Sequence, residues 1–247
     1  MSAPSERGDN LFFTRRAADQ EKSVYFMRDA AGADKVVLDP HTLSEDLSTS
    51  VGIFVPSPDG SKVAYSLKED NADESTMYVL DLATGQSSDK IPGAKYAWPS
   101  WTPNGDGFYY TFLTTDPSIP TDERPGFANV RFHKLGTDAA DDPIIHPHTG
   151  SPQTFIGPSL SKDGKWLFVM IHHGWNRDDV FRMDLERPEN GFIPFAVDLP
   201  AHFEVATHGE YHYILTDKDA PTKKLMRTHV SKPEMANWTE VIPADPD

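Results

Sequence analysis

Ser57-Pro58-Asp59-Gly60-Ser61-Lys62-Val63-Ala64-Tyr65 decides how this chain folds. Asp-Gly forms a tight turn because glycine enters positive φ without steric cost, and the aromatic and β-branched residues that follow suit a strand. Four further stretches carry the same signal: Arg7-Gly8-Asp9-Asn10-Leu11-Phe12-Phe13, Thr102-Pro103-Asn104-Gly105-Asp106-Gly107-Phe108-Tyr109-Tyr110, Ser161-Lys162-Asp163-Gly164-Lys165-Trp166-Leu167-Phe168 and Thr207-His208-Gly209-Glu210-Tyr211-His212-Tyr213. A hairpin that returns every ~45–60 residues is the mark of a radial repeat, one supersecondary unit per blade. The expectation is an all-β protein, a five-bladed β-propeller with four antiparallel strands per blade. The blades are expected at about 1–48, 49–93, 94–152, 153–202 and 203–247 of a single domain.

Within each repeat four strands are legible by apolar–polar alternation. The clearest are Lys62–Ser66, Thr76–Asp81, Gly107–Phe112 and Tyr211–Thr216. Tyr96–Ser100 and Phe203–Ala206 are read as the first strands of the third and fifth blades. Thr115–Asn129, with Pro117, Pro120 and Pro125, reads as the longest irregular loop. No amphipathic helix of convincing length is present. The last repeat reads as holding all four of its own strands. Closure is therefore expected by packing of the first blade on the last, and the exposed seam points to a homodimer.

Composition narrows the classes of partner. There are 23 basic and 38 acidic residues, a formal charge of −15. That argues against nucleic acid and anionic membranes, which attract basic surfaces. The chain has no cysteine, which removes disulfides, thiolate nucleophiles and thiolate metal ligands. The amino-terminal residues carry no apolar core of a secretion signal, and no apolar run approaches the ~20 residues of a membrane span. The reading is a cytoplasmic protein.

Several segments in order resemble the propeller of the prolyl oligopeptidase family of serine peptidases. They are Leu38-Asp39-Pro40-His41-Thr42-Leu43-Ser44-Glu45-Asp46, Phe54-Val55-Pro56-Ser57-Pro58-Asp59-Gly60, Val130-Arg131-Phe132-His133-Lys134-Leu135-Gly136-Thr137-Asp138 and Thr216-Asp217-Lys218-Asp219-Ala220-Pro221. The resemblance runs from about Arg7 to Ile242. It implies a propeller that admits short peptides to a hydrolase domain, and it matches the first five of the family's seven blades. The family's catalytic Ser, Asp and His lie in a part that this sequence does not include, so no catalytic residue is carried over. The resemblance places Tyr109 near the substrate-facing rim and puts His172 where the family has Arg.

No G-x-S-x-G nucleophile elbow occurs. Ser159 or Ser161 with His172 or His173 and Asp163 or Asp178 supplies the residue types of a triad, but no spacing selects them. His202 with Glu204, or His208 with His212, share strand faces, yet turn and surface histidines explain them better than a metal site. The carboxylates Glu69, Asp70, Glu74, Asp116, Asp122, Glu123, Asp138, Asp141, Asp142, Asp178 and Asp179 read mostly as a solvated rim. Trp98, Trp101, Trp166 and Trp238 read mostly as blade packing. Trp175, beside Gly174, is the candidate for an exposed aromatic contact. No cofactor and no metal are expected.

The leading expectation is a binding or scaffold module, with Tyr109, His172, His173 and Trp175 as ligand-binding residues and a peptide or small molecule in the central channel. The alternative is a hydrolase with a newly acquired site on the channel rim. A third reading is a fragment with no activity of its own.

Overall fold

The computed structural model describes residues 1–70 and 72–245. The expected fold class is found: five antiparallel four-stranded sheets form a β-propeller. The first sheet holds β1 (Ser5–Arg7), β2 (Asn10–Arg15), β3 (Val24–Arg28) and β4 (Asp34–Leu38). The second holds β5 (Ser50–Pro56), β6 (Lys62–Lys68), β7 (Thr76–Asp81) and β8 (Ser87–Ile91). The third holds β9 (Ser100–Trp101), β10 (Gly107–Phe112), β11 (Asn129–Lys134) and β12 (Ile144–His146). The fourth holds β13 (Phe155–Leu160), β14 (Trp166–His172), β15 (Asp178–Asp184) and β16 (Ile193–Ala196). The fifth holds β17 (Phe203–His208), β18 (Tyr211–Thr216), β19 (Lys224–His229) and β20 (Thr239–Ile242). Strands pair in chain order within every sheet. The chain divides into two compact units, Met1–Phe108 with Phe132–Pro143, and Tyr109–Arg131 with the residues from Ile144 onward.

Three of the five repeated turns share one local chemistry. Ser57 Oγ donates to Asp59 Oδ1 at 2.6 Å and accepts from the Lys62 amide at 3.0 Å, while Gly60 stands at φ 70°. Ser161 accepts from the Trp166 amide at 2.9 Å and bonds Asp163 in the same way, with Gly164 at φ 73°. Thr102 Oγ1 donates to Asp106 at 2.7 Å, with Gly105 at φ 65°. Each hydroxyl satisfies turn amides that would otherwise compete with the ladder.

The third-to-fourth strand pairing also repeats. All five such pairs shift register, at Tyr25/Phe26, Met77/Val79, Val130/Arg131, Val180/Phe181 and Leu225/Met226. A bulge there raises the local twist of the outer strand. Those fourth strands carry much of the exposed apolar surface, including Val36, Ile144, Ile193 and Ile242.

Packing within the first unit joins neighbouring sheets. Phe12 on β2 and Val63, Tyr65 and Leu80 on the second sheet form one buried cluster. The tips of the two hairpins interlock, the Gly8 amide donating to Pro58 O at 3.0 Å. A Cβ on Gly60 would stand 2.5 Å from Arg7 O, and one on Gly8 would stand 2.4 Å from Asp59 O. Glycine is needed at both positions for its backbone angle and for that approach. In the second unit, Phe168, Val180, Phe195, Phe203 and Ile214 bury the contact between the fourth and fifth sheets.

Two expectations fail. Tyr96–Ser100 is not a strand, and the first strand of the third sheet is only Ser100–Trp101. Pro99 has no amide to give the ladder, and residues 94–98 close turns instead, with Ala97 N bonding Ala94 O at 3.2 Å. Trp98 consequently lies outside the blade packing, 64% exposed.

The glycine argument yields a stability prediction. Gly60→Ala should cost clearly more than Gly85→Ala, whose site has φ 69° and open space. Left-handed strain alone costs about 1–2 kcal/mol, and the Gly60 variant adds a backbone collision. Denaturant midpoints of the two variants measure the difference; equal shifts would overturn the interlock.

Candidate functional site

The sequence candidates fall mainly on one hairpin. His172 ends β14, and residues 173–177 form the turn into β15, with Gly174 at φ 61° and the His173 amide bonding Arg177 O at 2.9 Å. Trp175 stands at the tip, 96% exposed. The structure thus brings His172, His173 and Trp175 together at one hairpin end. Tyr109 lies elsewhere, half-buried on β10, and burial raises the pKa of its phenol.

Two adjacent carboxylates hold the two histidines. Asp178 Oδ1 meets His172 Nδ1 at 2.7 Å, and Asp178 Oδ2 accepts the Phe203 amide at 3.0 Å. Asp179 Oδ2 meets His173 Nε2 at 2.7 Å, and Asp179 Oδ1 accepts the Asp198 amide at 2.8 Å. Consecutive strand residues point to opposite faces, so the Asp178-Asp179 pair serves both faces of β15. Each carboxylate orients an imidazole and also anchors the segment that leads from β16 to β17. Arg177 adds a bond to Asp198 at 2.7 Å. The imidazoles remain partly accessible, 42% for the His172 side chain and 30% for that of His173. The hairpin end therefore presents two oriented imidazoles and one large aromatic surface.

The solvated-rim reading of the carboxylates is corrected here. Asp178, Asp179 and Asp142 are buried. Their loop neighbourhoods are polar in sequence, but each is desolvated against a histidine or a backbone amide.

The reading of turn and surface histidines is corrected too. His133 on β11 is fully buried, with Nδ1 at 3.0 Å from both Asp142 oxygens and Nε2 at 3.2 Å from Asp89 Oδ1. Asp89 belongs to β8, so this imidazole ties the second sheet to the third inside the first unit. Burial works to raise the pKa of Asp89, but bonds from Ser88, the Gly136 amide and His133 together hold it below the usual value. His212 on β18 is also fully buried, ringed by the edges of Trp166, Phe168 and Phe195. Its Nε2 accepts from Arg182 Nη1 at 2.9 Å, and its Nδ1 lies 2.8 Å from Thr207 Oγ1. Burial, and then the adjacent guanidinium, lower its pKa from 6.5 to about 3. His208, expected to share a face with His212, sits exposed at the end of β17. Among the described residues no group of three or more His, Asp or Glu stands where it could hold a metal ion.

Neither serine meets the His172–Asp178 pair. Ser161 is committed to Asp163 in its own turn, at the far end of the β13–β14 hairpin. Ser159 stands opposite Phe168, four residues and about 13 Å along the strand from His172.

A propeller built of tight glycine hairpins, with His–Asp pairs at its strand ends, is the class that this geometry defines. The family model for the prolyl oligopeptidase N-terminal β-propeller domain matches residues 1–247, and the chain belongs to that family. The prolyl endopeptidase of Elizabethkingia meningoseptica is 32% identical over 98% of this chain and 34% of its own length. The dual-function macrocyclase-peptidase POPB of Amanita bisporigera is 26% identical over 86% of this chain and 32% of its own length. A solved prolyl endopeptidase superposes with a TM-score of 0.94 at 41% identity, covering 99% of this chain and 36% of that one. Prolyl oligopeptidase B of Galerina marginata, at 24% identity and a TM-score of 0.84, shares the fold. The chain spans about a third of the length of these relatives. No helix among the described residues is long and apolar enough to cross a membrane.

The buried neutral imidazole makes stability depend on pH. The unfolded chain takes up the His212 proton near pH 6.5, whereas the folded chain resists until about pH 3. Stability from this group is therefore complete above pH 6.5 and declines as the pH falls toward 3. The loss between pH 7 and 5 is roughly 2 kcal/mol. His212→Gln should flatten the melting temperature across that window relative to the wild type. Parallel profiles would show that His212 does not carry the effect.

Proposed function

We propose that this propeller is a peptide-binding module in which the β14–β15 hairpin end makes the ligand contacts. The observation that carries this reading is the grouping of Trp175 with the carboxylate-held His172 and His173. An exposed tryptophan offers a large, rigid contact surface, and imidazoles held by carboxylates offer positioned hydrogen-bonding groups. Family membership supports a peptide as the ligand, as do relatives that are prolyl endopeptidases. Tyr109 belongs to the proposal as a second aromatic surface on β10. The module acts in the cytoplasm, binds its peptide in the central channel and works as a homodimer, without nucleic acid or membrane as a partner.

The hydrolase alternative has less support. His172 and Asp178 form a dyad, but Ser159 and Ser161 stand out of its reach, as the β13–β14 register requires. Binding without turnover follows as the better reading.

A fluorescent proline-containing hexapeptide tests it by anisotropy. Trp175→Ala should weaken binding about tenfold, the usual scale for losing an aromatic anchor. His172→Ala should weaken it less. The chain should not label with a fluorophosphonate probe. Binding that is indifferent to both variants would reject the hairpin as the site, and peptide turnover abolished by His172→Ala would establish the hydrolase instead. Light scattering reads the dimer, and a compact monomer would remove it from the proposal.

A further inference from the structure

Within the second unit, the turn after β15 and the turn between β19 and β20 enclose a cleft of about 460 Å3. Trp166 and Arg182 line it together with Ile193 and Val230, and Arg187 and Asn190 stand on the β15 side. A volume of this size suits a small organic ligand or a single peptide side chain.

Arg182 is the unusual member. It is only 6% exposed, and its guanidinium carbon lies 4.6 Å from the centroid of the Trp166 ring. One nitrogen, Nη1, makes both of its hydrogen bonds, to His212 Nε2 at 2.9 Å and to Val230 O at 2.8 Å. Nε is buried and has no hydrogen-bond partner. Leaving a buried charged donor unmade is expensive, and native structures seldom do so without a reason. Nε is sealed from the cleft, so Nη2, which makes no hydrogen bond of its own, is the nitrogen left to meet a ligand, and a guanidinium N–H suits a carboxylate oxygen.

The cleft wall supports the same chemistry. Arg187 projects into solvent with its Nε 3.0 Å from Asp184 Oδ2, also a lining residue. Two guanidinium groups and one carboxylate line the cleft, and Glu234 is a second carboxylate within electrostatic range of Arg182. Ile193 and Val230 offer apolar contact to a short aliphatic body.

We propose that this cleft binds a carboxylate group, held by Nη2 of Arg182 and assisted by Arg187. The carboxylate comes from a small organic acid or from an acidic side chain of a peptide. The site lies apart from the Trp175 hairpin end and does not depend on the peptide-binding proposal.

Amide-detected NMR titration of the whole chain at constant ionic strength tests it. Three probes are used: succinate, a Glu-containing hexapeptide with blocked termini, and inorganic phosphate. Succinate or the hexapeptide should produce saturable shifts at Gly191, Ile193 and Ser231, and the tighter of the two identifies the source of the carboxylate. Arg187→Glu, at an exposed position, should weaken that binding about tenfold. Arg182→Lys keeps the charge and removes the Nη2 donor, so it should abolish saturation; if it does not fold, Arg187→Glu decides. Tighter binding of phosphate than of either carboxylate would overturn the assignment of the ligand class. Absence of saturation below 50 mM with all three probes, a concentration of roughly millimolar-affinity reach, would overturn the site. Unchanged affinity in Arg187→Glu would do the same.

Discussion

Buried polar bonds between neighbouring sheets are what the rest of this fold depends on. Apolar contact between two β-sheet faces is strong but non-directional, and it tolerates sliding. The polar bonds set the register. In the first unit, Trp101 Nε1 donates to Val55 O at 3.1 Å, and His133 bridges to Asp89. In the second, Thr111 Oγ1 donates to Ile156 O at 2.8 Å, and Arg182 reaches His212 and Val230. Each of these groups is desolvated, so losing its partner leaves a buried donor or acceptor unmade. The apolar clusters supply the cohesion, and these bonds make one alignment of each sheet pair better than its neighbours.

Histidine serves three different ends here, and the environment decides which. His212 lies among aromatic edges and beside a guanidinium, which keeps it neutral and makes it an acceptor. His133 lies between two carboxylates and ties sheets together. His172 and His173 have carboxylates on one side and solvent on the other, so their orientation is set while their accessibility survives. The last pair combines positioning with access, and it shares its hairpin with the most exposed tryptophan. The Asp178-Asp179 dipeptide achieves this economically. Each carboxylate orients one ring and accepts one backbone amide of the segment that begins the next blade.

Much of the architecture was legible because its signals are local. Gly107–Phe112, Thr76–Asp81 and Tyr211–Thr216 have the predicted boundaries, since alternation and flanking turn residues act over a few positions. Tyr96–Ser100 misled because its aromatic content suggests a strand while Pro99 withholds the amide that pairing needs. Trp98 and Trp101 are three residues apart in similar company, yet one is solvated and one donates a buried hydrogen bond. Among the site residues, Trp175 was found from its glycine neighbour, and His172 from the resemblance, which puts it where the family has Arg. Asp178 and Asp179 were read mostly as a solvated rim, and Asp178 also as a triad component.

The sequence by itself determined the repeat, the hairpin turns and the five four-stranded sheets. Turn chemistry such as Ser57-Pro58-Asp59-Gly60 acts between residues a few positions apart and can be read in a line. Only the tertiary structure decided which carboxylates and histidines are buried, and who holds whom. Asp89 with His133 and Arg182 with His212 are separated by 44 and 30 positions. Their pairing depends on how one sheet face lies on the next, which no local pattern encodes.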